Sequence, residues 1–152
     1  FAREYLPKIG YKRRIEVMTP IIPGLEGEKM SASREESKID LLDSEETVKQ
    51  KLSKAYCPEG TIEGNGVLSF IKHIIMVIKE DNNKEFLIEM SEKFGGNISY
   101  NNYEELETDY LSKKINPLDL KNGVADEINK LLEPIRRKMK GKEELIRKAF
   151  PI

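Results

Sequence analysis

Residues 117–139 read PLDLKNGVADEINKLLEPIRRKM, and the spacing of their apolar side chains decides the fold class. Leu120, Val124, Ile128, Leu131, Ile135 and Met139 recur at steps of three and four, which is the period of one face of an α-helix. Pro117 suits the first helical position, where an N–H would have no partner anyway. Asp126/Lys130 and Glu133/Arg137 stand as i,i+4 ion pairs on the wet side. Pro134 lies within the pattern and predicts a kink.

The segments before it supply what this helix can pack against. Residues 103–114 carry helical spacing through Leu106, Tyr110 and Leu111. Residues 85–90 alternate through Phe86, Ile88 and Met90, and Gly95-Gly96 separates them from residues 97–100, a hairpin-like pair. Residues 66–79 are apolar on most of their circumference, with Ser69, Lys72, His73, Met76 and Lys79 as the one weaker stripe, so this helix is expected at the centre of the core. Asp43 with Glu46 three residues on is a capping-box variant. The helix it starts turns Val48, Leu52 and Ala55 inward and ends at Cys57-Pro58. Residues 142–150 can add a short terminal helix. The expectation for 43–152 is a mainly α fold with a small β component.

Residues 1–42 read differently. Phe1 to Ile9 has helical spacing blemished by Pro7, with Gly10 as a stop. Residues 14–20 alternate through Ile15, Val17 and Thr19 as a short strand. A lone strand leaves its backbone groups unpaired, so its neighbours are expected upstream, in a longer chain. Residues 21–38, with Pro23, Gly24, Gly27, Ser31, Ser33 and Ser37, fit no period and form a long loop of the kind that is usually functional or disordered.

Composition narrows the function classes. Hydrophobic residues make up 38% and charged residues 35%, while 26 Lys+Arg and 27 Asp+Glu leave a net charge of −1. A uniformly basic nucleic-acid coat is therefore excluded. Charge is nevertheless uneven: residues 80–109 hold nine acids and two bases, and residues 130–152 eight bases and three acids. Such blocks are either separate patches or solvated helix faces. One cysteine, Cys57, excludes an internal disulfide framework, and His73 as the only histidine excludes a Cys/His zinc site. No apolar run approaches the ~18–20 residues of a bilayer span, and no secretory signal opens the chain, so a cytoplasmic location is expected.

The chemistry-bearing stretch is Pro23-Gly24-Leu25-Glu26-Gly27-Glu28-Lys29-Met30-Ser31-Ala32-Ser33. Glycines allow close backbone approach, a lysine neutralises charge and hydroxyls donate hydrogen bonds, which together suit a polyanion. The stretch is not a Walker loop. From these residues alone, a flexible polar loop is the reading to prefer.

Lys29-Met30-Ser31-Ala32-Ser33 resembles the KMSKS signature of class I aminoacyl-tRNA synthetases, with Ala32 where the class pattern has its second lysine. Further stretches resemble, in order, the C-terminal portion of tyrosyl-tRNA synthetases of the archaeal and eukaryotic type. These include Ser37-Lys38-Ile39-Asp40-Leu41-Leu42, Lys54-Ala55-Tyr56-Cys57-Pro58-Glu59-Gly60, Lys93-Phe94-Gly95-Gly96, Pro117-Leu118-Asp119-Leu120-Lys121-Asn122 and Leu131-Leu132-Glu133-Pro134-Ile135-Arg136. Tryptophanyl enzymes share the KMSAS spelling, but the stretches at Phe94 and Pro117 favour tyrosine.

The resemblance implies residues 1–42 as the end of a Rossmann-type catalytic domain and 43–152 as an α-helical anticodon-binding domain. It implies tyrosine–tRNA ligase activity in the longer protein, with tyrosine, tyrosine tRNA and ATP with Mg2+ as substrates, no tightly bound cofactor, and a homodimer with no membrane partner. Lys29, Met30, Ser31, Ala32 and Ser33 would form the catalytic loop. Gly24, Leu25, Lys29, Ser31 and Ser33 would meet ATP, and Phe94, Asn116 and Asp119 the anticodon. Asn116 stands where the archaeal pattern has histidine. The alternative for Phe94 is a hairpin core residue, and for Asp119 a first-turn acid favoured by the helix dipole. No HIGH-type motif surrounds His73, which reads as a partly exposed helix residue. The 152 residues are therefore expected to be inactive alone. The rival reading is a non-catalytic RNA-binding or interaction module, or the second half of a double-length synthetase.

Overall fold

The computed structural model describes residues 2–13, 15, 17, 20–27, 30 and 34–149, except for the side chains of Phe94 and Glu143. Chain order runs α1 (Ala2–Tyr5), α2 (Glu45–Lys54), α3 (Gly66–Phe70), a π turn (Ile71–Ile75), α4 (Met76–Asp81), β1 (Phe86–Ile88), β2 (Ile98–Tyr100), α5 (Tyr103–Leu111), α6 (Pro117–Met139) and α7 (Glu143–Ala149). The expectation of a mainly helical chain with a small β component holds.

The long helix organises the rest. Leu120, Val124, Ile128 and Leu132 of α6 are buried, and α6 packs against α2, β1, α3 and the π turn. Gly123 lies under β1, where an added Cβ would stand 3.4 Å from the Leu87 carbonyl oxygen. The helix runs on through Pro134 to Met139. β1 and β2 pair antiparallel with Phe86 opposite Tyr100 and Ile88 opposite Ile98, a short ribbon whose inward side chains Phe86 and Ile88 are fully buried. A 3-10 turn at Glu92–Phe94 makes the connection. Tyr110 of α5 is also fully buried. Its hydroxyl donates to the Pro58 carbonyl at 2.8 Å and lies 3.2 Å from Cys57 Sγ.

Three local expectations are corrected. The cap of α2 is Ser44, whose Oγ accepts the Thr47 N–H at 3.1 Å. Asp43 instead accepts the Asp40 N–H and pairs with Lys51 at 2.6 Å, closing the turn ahead of the helix. In the central helix Met76 is buried whereas Val77 and Ile78 are exposed. The cause is the π turn, closed by the Met76 N–H on the Ile71 carbonyl, which rotates everything after it relative to an α-helical wheel. Lys130 pairs with Glu127 at 2.8 Å, and Asp126 with Lys49 at 3.4 Å, because Glu127 points inward to Lys79 and draws Lys130 over it. The Glu133/Arg137 pair forms as expected, at 2.6 Å.

At the N-terminal end, Gly10 ends the 3-10 turn at Pro7–Ile9 in the left-handed region, its N–H on the Pro7 carbonyl. Ile15 and Val17 belong to no strand and are 94% and 89% exposed. Arg14, Glu16, Met18 and Thr19, the rest of that expected strand, lie outside the described residues. Among the described residues no helix is long and apolar enough to cross a membrane.

Candidate nucleotide and RNA sites

The glycine-containing loop is fastened at its base. Leu25 is 1% exposed, an apolar side chain sunk into the helical core from a polar segment. Its N–H donates to the Ser37 carbonyl at 3.0 Å, and its own carbonyl accepts the Tyr56 N–H at 2.7 Å. The two ends of the loop are thereby joined to each other and to Tyr56, the second residue after α2. Ser37 is buried, and its Oγ donates to the Arg34 carbonyl at 2.8 Å. Arg34 reaches across to Glu26 at 2.9 Å.

Glycine is required at this base for reasons of space and backbone. Gly27 has φ +82° after a turn closed by its N–H on the Gly24 carbonyl. Gly66, at the first position of α3, lies so close to Gly24 that an added Cβ would stand 2.3 Å from the Gly24 carbonyl oxygen. The helix beginning at Gly66 and the loop beginning at Gly24 thus touch backbone to backbone. Asn65 caps that helix, accepting the Leu68 N–H at 3.2 Å, and is itself fully buried.

Of the residues expected to meet ATP, Gly24 and Leu25 are placed, both buried. Leu25 is occupied in packing, so its side chain anchors the segment. Met30 is 38% exposed, while Lys29, Ser31, Ala32 and Ser33 lie outside the described residues. The cleft between the loop base and α2, about 260 Å³, is lined by Glu26, Glu35 and Glu36 opposite Lys51 and Lys54. Charges of both signs there give little net attraction for a polyanion.

The second candidate site is the start of α6. Asn116 caps it, its Oδ1 accepting the Leu118 N–H at 2.8 Å while its backbone carbonyl accepts the Leu120 N–H at 3.0 Å. Pro117 fills the first position, and Asp119 stands partly exposed in the first turn. Asn116 and Asp119 are therefore brought together at one helix end, with Asn116 exposed at the cap. The Phe94 backbone ends the 3-10 turn between the strands, where Gly95 takes φ +102°. The Phe94 ring lies outside the described side chains.

Sequence reasoning missed Tyr56, Gly64 and Gly66 as neighbours of the loop. A signal was present in the glycine pairs 24/27 and 64/66, since glycines in two separated turns are what a close backbone approach requires. It also missed Glu127, buried on the long helix as an ion-pair hub.

Comparison with known proteins gives the family. The chain is 52% identical to cytoplasmic tyrosine–tRNA ligase of Gallus gallus over 99% of its length, and 46% identical to that of Saccharomyces cerevisiae, again over 99%. It covers 28% and 40% of those two proteins, so it spans less than half the length of either relative. Among solved structures, tyrosyl-tRNA synthetase of Archaeoglobus fulgidus, complexed with L-tyrosine, matches 90% of this chain and 41% of that one, with TM-score 0.81 and 40% identity. The enzyme from Aeropyrum pernix matches with TM-score 0.81 at 33% identity, over 95% of this chain and 41% of its own. Residues 1–133 match the family model for class I tRNA synthetases (W and Y), and the chain belongs to that family.

Proposed function

We propose that this chain serves tyrosine–tRNA ligation, in which tyrosine is activated by ATP and transferred to tyrosine tRNA, and that it supplies the KMSKS-type loop and the anticodon-binding helices. The observation that carries the reading is the 52% identity held over 99% of the chain to a tyrosine–tRNA ligase. In this reading residues 1–42 are the end of the nucleotide-binding domain, laid against the helical body at Leu25, and 43–152 form the anticodon-binding domain. The whole enzyme works as a cytoplasmic homodimer.

The carboxylate of tyrosine attacks the α-phosphorus of ATP, and pyrophosphate leaves. Negative charge builds on the departing oxygens, so a fixed cation near them lowers the barrier. Lys29 supplies that cation, Ser31 and Ser33 donate hydrogen bonds, and Met30 and Ala32 space them. ATP arrives with Mg2+ as a substrate. Leu25 and Gly24 hold the entry to this segment against the helical core.

At the other site a guanine of the anticodon presents its N1–H and N2–H donors to the Asp119 carboxylate, and Phe94 offers a face for stacking. Asn116 keeps the helix end intact through its cap.

The test is ATP–pyrophosphate exchange with tyrosine, in the full chain that carries this segment and in the 152 residues alone. The full chain is expected to exchange and to lose at least a hundredfold in kcat on Lys29→Ala, on the order of what removing one transition-state donor costs. The 152 residues alone are expected at background. Exchange by the short chain, or a full chain indifferent to Lys29→Ala, overturns the reading.

A further inference from the structure

Tyr56 is half exposed, yet it is built into the loop base from two sides. Its N–H holds the Leu25 carbonyl at 2.7 Å. Its ring lies against Gly27 so closely that an added Cβ on Gly27 would stand 2.8 Å from Tyr56 Cδ1 and 3.3 Å from Cγ. Gly27 is closed from the other direction by the Gly64 carbonyl oxygen, 2.9 Å from the same point. Gly27 is thus held between an aromatic face and a backbone, two residues before Lys29.

Tyr56 is itself fixed through its neighbour Cys57. That residue is buried, with its Sγ 3.2 Å from the Tyr110 hydroxyl and 3.5 Å from Asn65 Nδ2. Tyr110 donates in addition to the Pro58 carbonyl. A half-exposed ring on so firmly bonded a stretch has few conformations to lose when it rests on a neighbour. The core of the α5 region therefore reaches Gly27 through two consecutive residues, Cys57 and Tyr56.

We propose that Tyr56 is a positioning residue for the nucleotide-handling segment: its amide fixes Leu25 and its ring fixes Gly27, so that the chain enters residues 28–33 from a set point. This rests on the role given to Lys29 above. Tyr56 touches neither substrate nor reacting atoms; it acts through Gly27. Positioning of this kind is worth most in the transition state, where small misplacements are costly. The atoms of Tyr56 that lie against Gly27 are ring carbons, Cδ1 and Cγ, so the ring is the part that carries the effect.

The experiment compares wild type, Tyr56→Ala and Tyr56→Phe in the full chain, with Lys29→Ala in parallel. Hydrogen exchange at residues 25–27 and 34–37 reads the loop base. ATP–pyrophosphate exchange reads the chemistry, with KM for ATP and for tyrosine taken separately. Tyr56→Ala is expected to speed exchange at the loop base at least fivefold, leave α6 protected, and lower kcat about tenfold with KM for tyrosine unchanged. Tyr56→Phe is expected to restore both readings. Unchanged amide exchange in Tyr56→Ala overturns the proposal, as does a loosened base with unaltered kcat, or a Tyr56→Phe variant no better than alanine. If Lys29→Ala keeps full activity, the reading of the segment fails, and the proposal falls with it even where the base loosens.

Discussion

Lys79 Nζ lies 2.7 Å from Glu127 Oε2 and ties the end of α4 to the middle of α6, with both side chains close to nine-tenths buried. Lys130 Nζ covers the other carboxylate oxygen at 2.8 Å. Burial pushes the Glu127 carboxyl up, but hydrogen bonds from Lys130 and Lys79 and the attraction of both ammonium groups outweigh it and hold the carboxyl below its ordinary value of 4.5. A carboxylate with a lower pKa folded than unfolded contributes stability that is complete above about pH 4.5 and is lost as pH falls through the folded value. Glu127→Ala leaves the Lys79 ammonium buried without its partner and should cost about 3 kcal/mol at pH 7. Glu127→Gln should cost less and flatten the acid limb. Urea unfolding at pH 7 and at pH 4 tests this; an acid limb as steep in Glu127→Gln as in wild type places the acid sensitivity elsewhere.

Gly66→Ala should destabilise the chain by about 3 kcal/mol, the upper range for forcing a methyl into a packed site. The Gly24 carbonyl that the methyl would meet is backbone and cannot swing aside. Thermal unfolding measures the loss. Protease nicking between residues 24 and 37, faster than in wild type, would locate it at the loop base. A Tm equal to wild type would mean that loop and helix do not touch.

Asp119→Ala should cost about 1–3 kcal/mol of binding to a tyrosine-tRNA anticodon stem-loop and relax its preference for guanine, as removal of a base-edge hydrogen bond does. Phe94→Ala should cost a similar ~1–3 kcal/mol of stacking with less change in base preference. Asn116→Ala removes the cap of α6 and should lower stability by about 1 kcal/mol, separable from binding by unfolding measurements. Titration against stem-loops that differ only at the one base is decisive, and equal discrimination by wild type and Asp119→Ala removes Asp119 from the site.

The basic end of the chain needs a discriminating probe. Arg136 donates its Nε to the Asp43 carbonyl at 2.6 Å and one Nη to Asn129 at 2.8 Å, so neutralising it disturbs the joint between α6 and the start of α2. Arg137 is paired with Glu133. Lys138, Lys140 and Lys142 make no ion pair among the described residues. Replacing these three by alanine should lower RNA affinity for all sequences alike and shrink the salt slope by roughly 0.7–0.9 for each phosphate no longer neutralised. A slope that does not move would assign the basic block to solvation alone.

The helical body was legible because its signals are periodic. Phe86, Ile88 and Met90 alternate and are buried as expected, and Leu120, Val124 and Ile128 of the α6 row face the core. Leu132 rather than the expected Leu131 takes the next buried place, and Leu131, Ile135 and Met139 are half-buried. What escaped was written in letters whose meaning depends on partners far along the chain. Asp43 and Ser44 are both good caps, and Asp43 is engaged instead by the Asp40 N–H and by Lys51, eight residues on. Glu127 reads as surface charge until Lys79 is known to lie beneath it. Leu25 reads as a stray apolar residue in a polar loop, yet it is one of the most buried side chains. At the candidate sites, the cap at Asn116 and the first-turn place of Asp119 could be read from Pro117, which stands between them. The hold on Gly27 by Tyr56 could not, since no local pattern links residue 27 to residue 56.

The π turn at Ile71–Ile75 has a consequence for chain length. A turn closed five residues back holds one residue more than an α turn while advancing the helix by nearly the same rotation. Removing one residue, such as His73, would let residues 66–81 close as an uninterrupted α-helix with Phe70 and Met76 still facing the core. The middle of the most buried helix is thus a place where this sequence can shorten by one without refolding, whereas a deletion in α6 would turn Glu127 away from Lys79.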